Sequence, residues 1–101
     1  YHLIDADTPV CEGLTLIPTP GHTAGHLSAL LTLPDGRSVV VAADAINRAS
    51  EPAENFADAD DPATARISAN YLLSLAPPAA LLIYGHEPAQ WPMLPKAPRA
   101  W

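Results

Sequence analysis

Short hydrophobic runs separated by turn-forming residues predict a domain built mainly from β-strands. Strand-forming residues fill five runs along the chain: 1–4, 13–18, 26–33, 38–43 and 79–84. Residues 5–9 have the composition of a turn, and Asp35-Gly36 is a strong hairpin signal between the third and fourth runs. The run 38–43 shows no polar alternation, which indicates a strand that is buried on both faces.

One helix is predicted between the fourth and fifth strands. Asp61 is suited to cap the free N–H groups at its start, and Pro62 fits the first helical position. An apolar stripe at helical spacing follows, formed by Ile67, Tyr71, Leu72 and Leu75. Pro77-Pro78 ends the helix. This order of elements predicts an α/β domain in which the helix covers one sheet face and leaves the other uncovered.

Length and charge narrow the function classes. The chain has 101 residues, so we expect one domain over 1–90, followed by a proline-rich tail over 91–101. Eleven acidic residues against five basic ones give a net charge of -6, which excludes a nucleic-acid binder. No apolar run approaches the roughly 18 residues of a membrane span. The one cysteine, Cys11, forms no internal disulfide and is predicted to be buried.

Three side chains stand at the ends of predicted strands, where sites are usually built. His22 lies in the loop after the second strand, Asp44 ends the fourth, and His86 follows the fifth after Gly85. Strand ends can bring such side chains together at one edge of a sheet. Two imidazoles and a carboxylate are good ligands for zinc or iron. The residues alone therefore indicate a possible metal site.

Each of these residues also has a plain structural interpretation. Asp44 after a strand is equally suited to start a turn, and His86 to be an exposed loop histidine. His26 lies four residues after His22, but the prolines and glycines around them exclude a helix that would place both on one face. The alternative is that His26 hydrogen-bonds the neighbouring loop.

Three segments together resemble the metallo-β-lactamase superfamily. Residues 19–28, Thr-Pro-Gly-His-Thr-Ala-Gly-His-Leu-Ser, resemble its Thr-Pro-Gly-His-Thr-x-Gly-His segment. Residues 42–45, Ala-Ala-Asp-Ala, resemble the segment of the bridging aspartate, where Gly-Asp is commoner. Residues 83–88, Ile-Tyr-Gly-His-Glu-Pro, resemble the last histidine motif. The segments occur in the family's order, and their details look closest to the N-acyl homoserine lactonase-like branch.

The resemblance implies a two-metal hydrolase. Its members bridge two ions, here expected to be zinc with iron or manganese as alternatives, by a hydroxide and a carboxylate. His22 would bind the first metal and His86 the second, while Asp44 bridges both and orients the hydroxide that attacks a carbonyl. The implied substrates are small lactones, thioesters or esters. Asn47 stands about where the lactonases have a substrate-assisting tyrosine, which makes it a weak candidate for substrate binding.

The family's His-x-His-x-Asp-His motif is absent from the sequence. The chain therefore resembles the C-terminal half of an αββα sandwich, with a mostly antiparallel sheet and one main covering helix. It also starts at Tyr1, and its only methionine is Met93. We expect weak zinc binding and little activity alone, with the missing N-terminal half or a second chain as possible partner. The alternative is a non-catalytic remnant that binds a partner through its uncovered sheet face. With no visible signal peptide, the cytoplasm is the default compartment.

Overall fold

A five-stranded sheet with one helix on its face makes up the computed structural model, which describes residues 2–96. The strands lie in chain order: β1 Thr8–Cys11, β2 Leu14–Pro18, β3 Leu27–Thr32, β4 Ser38–Ala43 and β5 Leu81–Tyr84. Helix α1, Pro62–Leu75, connects β4 to β5, and a short 3₁₀ turn covers Trp91–Met93. The pairs from β1 to β4 are antiparallel, whereas β4 and β5 are parallel. The predicted α/β class, with a mostly antiparallel sheet and one covering helix, is confirmed.

The hairpin between β3 and β4 forms where the sequence predicts it. The Leu33 N–H donates to the Arg37 carbonyl at 2.7 Å, and the Asp35 carboxylate accepts from the Arg37 N–H at 3.0 Å. Gly36 has φ +85°, a conformation that glycine adopts without the steric cost of a β-carbon. The turn aligns Thr32 with Ser38, which fixes the register of the two strands.

The first strand lies later in the chain than predicted. Residues 2–7 form no strand, and β1 occupies Thr8–Cys11, partly within the expected turn. Because β1 is the edge strand, Pro9 is tolerated there despite lacking an N–H group. Cys11 is exposed on this edge, so the expectation that it is buried was wrong.

Helix α1 begins as predicted but buries a different face. The Asp61 carboxylate accepts from the Thr64 N–H at 3.1 Å, and Pro62 is the first helical residue. The predicted stripe fails at Ile67 and Tyr71, whose side chains are 69% and 44% exposed. Leu72 of the stripe is buried as predicted and Leu75 packs against the core, while the other buried positions are Ala65, Ser68 and Ala69. No helix within residues 2–96 has both the length and the apolar character that a membrane crossing requires.

Small residues on this face let the helix approach the chain closely. A β-carbon on Gly21 would lie 2.2 Å from the backbone nitrogen of Ala65. Ser68 donates a hydrogen bond of 2.6 Å to the Pro20 carbonyl, so a polar residue also contributes to the contact. Hydrophobic periodicity misses this face because it is built from alanine and serine rather than from large side chains.

The core lies between α1 and one face of the sheet. Its fully buried side chains include Ile17, Val40, Ile46 and Leu72. Since side chains alternate along a strand, Val39 and Val41 point to the opposite face. Val39 is buried there but Val41 is only half-buried, so the predicted burial of β4 on both faces holds in part.

Candidate functional site

The three candidate side chains come together at one edge of the sheet. Strands β2, β4 and β5 run in the same direction, so their carboxyl ends share that edge. The Nε2 atom of His22 lies 3.7 Å from Oδ2 of Asp44, and Nε2 of His86 lies 2.9 Å from Oδ1 of the same carboxylate. One carboxylate therefore stands between two imidazoles, with a different oxygen nearer to each.

The site is open to solvent. The side chains of His22 and Asp44 are 32% and 35% exposed, and that of His86 is 72% exposed. His22 and Asp44 thus line the inner wall of the site, and His86 stands at its outer rim. Both histidine rings are accessible to a small ligand without a rearrangement of the fold.

The loop that carries His22 is anchored at both of its ends. The Thr19 N–H donates to the His26 carbonyl at 2.9 Å, which closes the loop. The N–H groups of Asp60 and Asp61 donate to the carbonyls of His22 and Gly21 at 3.3 and 2.9 Å. The start of α1 therefore holds the backbone on which His22 is mounted.

Asp44 follows a residue in an unusual backbone conformation. Ala43, the last residue of β4, has φ +50°, in the left-handed region that residues with a β-carbon rarely adopt. The N–H of Asp44 donates to Nε2 of His26 at 3.0 Å. His26 thus accepts a hydrogen bond from the backbone beside the carboxylate. This contact agrees with the alternative drawn from the sequence, in which His26 hydrogen-bonds a neighbouring loop.

His26 is itself held by buried hydroxyl groups. Its Nδ1 lies 2.8 Å from Oγ1 of Thr19, which lies 2.8 Å from Oγ of Ser28. Ser28 donates to the Ala42 carbonyl at 2.9 Å. Burial of the His26 ring lowers its pKa below the usual value, and this outweighs the attraction of the Asp44 carboxylate. The neutral ring is therefore favoured.

The loop that carries His86 is joined to the segment after Asp44. The N–H groups of Gly85 and His86 donate to the carbonyls of Ile46 and Asn47 at 3.2 and 2.9 Å. A β-carbon on Gly85 would lie 2.4 Å from the Ala43 carbonyl oxygen and 2.9 Å from Oδ1 of Asp44. Glycine is required here because the two backbones approach so closely.

Asn47 is directed at a residue that the sequence did not indicate. It is 7% exposed, and its Nδ2 donates to Oε1 of Glu51 at 3.0 Å, while its N–H donates to Oε2. Glu51 is 3% exposed, and its carboxylate accepts both bonds. Oδ1 of Asn47 is buried without a hydrogen-bond partner among residues 2–96. No periodic pattern in the irregular segment 46–60 marks this pair, which is why sequence reasoning missed it.

A recess of about 360 Å³ adjoins His86. Its walls include Ile83, His86, Trp91 and Leu94. Concave, largely apolar surfaces with a few polar groups are typical of small-molecule sites.

The side chains of His22, Asp44 and His86 are of types that bind metal ions, but they are not arranged in the geometry of a metal site. Within residues 2–96, no group of three or more His, Cys, Asp and Glu side chains has the geometry to hold a metal ion. Two ligands of one tetrahedral zinc lie about 3.3 Å apart, since each zinc–ligand distance is about 2.0–2.2 Å. The distances of 2.9 and 3.7 Å around Asp44 lie on either side of this value. The donor types therefore suit zinc, although residues 2–96 do not hold them in a preformed metal geometry.

Comparison with known proteins places the fold. No protein-family profile matches the sequence, and neither does any curated protein. The chain is similar to an N-acyl homoserine lactone hydrolase with the product N-hexanoyl-L-homoserine bound at its catalytic metal center, with 27% identity and a TM-score of 0.87. The same values hold for AiiA of B. thuringiensis with N-decanoyl-L-homoserine bound at the active site. Each match covers 98% of this chain and 40% of the lactonase chain.

Two other solved structures share the fold at lower similarity. AidC, a dizinc quorum-quenching lactonase, is 21% identical with a TM-score of 0.65, over 94% of this chain and 34% of that chain. AbOPH, a hydrolase of the beta lactamase superfamily, is 25% identical with a TM-score of 0.62, over 87% of this chain and 30% of that chain. The resemblance to the C-terminal part of metallo-β-lactamase superfamily hydrolases, and to the N-acyl homoserine lactonases among them, is confirmed.

Proposed function

From this likeness to the lactonases, we propose that the chain contributes one side of the metal site of a hydrolase that opens a lactone, thioester or ester. His22, Asp44 and His86 are the proposed metal ligands. The observation that carries the proposal is the position of one carboxylate between two imidazoles, at the edge where three strands end. It is supported by the match to a lactone hydrolase whose product lies at a catalytic metal center.

The division of the Asp44 oxygens supports a bridging role. Oδ2 is the oxygen near His22, and Oδ1 is the oxygen near His86. Each oxygen thus lies close to a different histidine ring. This arrangement suits two neighbouring metal ions better than a single ion. Zinc, when bound, lowers the pKa of a coordinated water to about 7 and polarises a carbonyl. Asp44 would orient the attacking oxygen by accepting a hydrogen bond from its O–H group.

The ligand count predicts the behaviour of the chain by itself. A catalytic zinc ion usually has three protein ligands and an open position. This chain supplies two ligands to each ion if Asp44 is counted twice. We therefore expect weak zinc binding and little or no turnover. A second segment that carries a His-x-His-x-Asp-His motif should raise both, whether it comes from a longer form of the chain or from a second chain.

The substrate class is proposed from the neighbours and the site. The lactone hydrolases hold acyl homoserine products, which makes a small acylated lactone the leading substrate. The recess beside His86 would take an apolar group of such a molecule. Asn47 stays a weak candidate for a substrate contact. Both of its identified N–H donors face Glu51 and its Oδ1 acceptor is buried, so a substrate contact would require this side chain to move.

A titration with Zn²⁺ against a competing chromophoric chelator tests the proposal. The variant D44N keeps the size of the side chain but removes its charge, and D35N is the matched control because Asp35 lies in the exposed β3–β4 turn. We expect measurable binding by the wild-type chain and D35N, and a loss of at least tenfold in D44N. Equal affinity in all three would overturn the assignment of Asp44.

Complementation tests the hydrolase part of the proposal. A segment that carries the His-x-His-x-Asp-His motif, taken from an N-acyl homoserine lactonase, is co-expressed with this chain. We expect tighter zinc binding and lactone hydrolysis from the pair, and neither from the pair that contains D44N. A folded complex that binds zinc but opens no lactone, thioester or ester would argue against the hydrolase.

One observation favours a second candidate function, partner binding through the uncovered sheet face. Leu31, Val39, Val41 and Ile83 line an apolar recess of about 300 Å³ on the face away from α1. Such a surface suits a non-catalytic domain that docks against another chain. Sedimentation of the wild-type chain and V41D over a range of concentrations shows whether this face mediates self-association. Self-association that V41D abolishes supports docking, and identical monomers argue against a second copy as partner.

A further inference from the structure

We propose that His26, Thr19 and Ser28 form a clamp that holds Ala43 in its left-handed conformation and thereby sets the position of the Asp44 carboxylate. His26 is then a positioning residue, not a metal ligand. The clamp follows from hydrogen bonds alone. Its consequence for metal binding rests on the function proposed above.

The clamp grips the backbone on both sides of Ala43. On one side, Ser28 donates to the Ala42 carbonyl at 2.9 Å. On the other, the Asp44 N–H donates to Nε2 of His26 at 3.0 Å. These are the two peptide groups whose relative orientation defines the conformation of Ala43. Because φ of Ala43 is +50° and its β-carbon disfavours that value, the conformation needs such support.

The side chains of the clamp form an unbroken chain of hydrogen bonds. The links from Nδ1 of His26 to Oγ1 of Thr19, and from there to Oγ of Ser28, are each 2.8 Å long. Thr19 and Ser28 are 1% and 2% exposed, so water does not compete with these links. The two hydrogen bonds on either side of Ala43 are therefore connected through buried hydroxyl groups.

The direction of every proton in this path is determined. A backbone N–H can only donate, so Nε2 of His26 must carry a lone pair. The neutral ring then carries its proton on Nδ1 and donates to Thr19. Thr19 in turn donates to Ser28, whose proton goes to the Ala42 carbonyl. Each hydroxyl donates once and accepts once, which leaves no polar group of the clamp unsatisfied.

The clamp matters for the site because Asp44 is the next residue. A change of conformation at Ala43 would rotate the peptide that leads into Asp44. Its carboxylate would then leave the positions 2.9 Å from His86 and 3.7 Å from His22. Steric contact on the other side reinforces the arrangement, since Gly85 packs against the Ala43 carbonyl and Oδ1 of Asp44.

The tautomer of His26 in the wild-type chain is the first test. Long-range ¹H–¹⁵N correlation spectra distinguish a ring that carries its proton on Nδ1 from one that carries it on Nε2. We expect the Nδ1–H form for His26, together with slow hydrogen exchange of the Asp44 amide. An Nε2–H ring, or rapid exchange of that amide in the folded chain, would overturn the clamp. This test needs no substitution, so it decides even if variants of His26 fail to fold.

Rescue by glycine at position 43 is the second test. If His26 acts by holding Ala43, then the zinc affinity lost in H26A should return in part in the double variant H26A/A43G, because glycine adopts the left-handed conformation without strain. A ligand role for His26 predicts no rescue. H2A is the control, since His2 is an exposed histidine near the start of the chain. We expect H26A to weaken zinc binding about tenfold, H2A to leave it unchanged, and A43G to recover at least threefold of the loss, in line with usual coupling energies.

The two tests separate the clamp from the proposed function. The Nδ1–H tautomer with no zinc binding in any variant would support the clamp and overturn the metal site. Zinc binding that H26A weakens and A43G does not recover would overturn the clamp and retain the metal site.

Discussion

Nε2 of His86 lies 2.9 Å from Oδ1 of Asp44, although helix α1 separates the two residues in the chain. The contact exists because β4 and β5 are parallel neighbours and end at the same edge of the sheet. Backbone hydrogen bonds from Gly85 and His86 to Ile46 and Asn47 then join the two loops that follow. The site is thus a product of strand order.

Replacement of Gly85 by alanine should damage the contact between β4 and β5. The new β-carbon would lie 2.4 Å from the Ala43 carbonyl oxygen, so one of the two backbones must move. We expect a loss of about 1–3 kcal/mol in the free energy of unfolding, as is usual for overpacking. G25A is the matched control, because a β-carbon on Gly25 meets nothing within 4 Å. Equal stabilities of G85A and G25A in urea unfolding would refute the close approach.

Leu72 should carry far more of the stability of α1 than Ile67. Leu72 is 0% exposed and belongs to the core, whereas Ile67 is 69% exposed. We expect L72A to lower the free energy of unfolding by about 2–5 kcal/mol, because it leaves a cavity. I67A should change it by no more than about 0.5 kcal/mol, as is usual for surface substitutions. A larger loss of stability in I67A than in L72A, measured by thermal or urea unfolding, would instead support the buried stripe that the sequence pattern predicts.

The Asp61 cap should make α1 sensitive to acid. The hydroxyl and N–H groups of Thr64 donate to the Asp61 carboxylate and hold its pKa below the usual value of 3.8. A carboxyl with a lowered native pKa stabilises the fold above its unfolded pKa, and this contribution is lost as pH falls through the native value. We expect D61A to lower the urea midpoint of unfolding at neutral pH. We also expect the midpoint of D61A to decrease less than that of the wild-type chain as the pH is lowered. D60A, at the neighbouring exposed position, should do neither; a D60A profile matching that of D61A would exclude a specific cap.

Gln90 should protect the open edge of the sheet. Its Oε1 accepts from the Tyr84 N–H at 3.1 Å, and its Nε2 donates to the Leu82 carbonyl at 2.5 Å. The side-chain amide thus pairs with β5 as a neighbouring strand would, and an unpaired strand edge favours association. We expect Q90A to speed hydrogen exchange of the Tyr84 amide and to promote self-association in sedimentation experiments. N70A removes an exposed amide from α1 and should have neither effect. Unchanged exchange at Tyr84 in Q90A would show that the amide does not protect this edge.

The sequence predicts the elements whose signals are local. Asp61-Pro62 marks the start of α1, and Asp35-Gly36 marks the hairpin, because capping and turn geometry depend on a few adjacent residues. The convergence of His22, Asp44 and His86 was also anticipated from their places at strand ends. Their roles as metal ligands stay predictions.

Other features depend on contacts that no local pattern encodes. The helix face of Ala65, Ser68 and Ala69 is set by the close approach of Gly21, so the large residues Ile67 and Tyr71 lie outside. The contact between Asn47 and Glu51 depends on how an irregular segment folds back. The hydrogen bond from the Asp44 N–H to His26 depends on the pairing of β3 with β4. Such contacts are visible only once the strands are in register.

An NMR titration of the 101-residue chain with Zn²⁺ shows whether His22, Asp44 and His86 bind metal together. We expect the ring signals of His22 and His86 and the amide signal of Asp44 to change over the same range of zinc concentration, while the signals of His2 stay unchanged. Changes at only one of the two histidines, or equal changes at His2, would contradict a shared site.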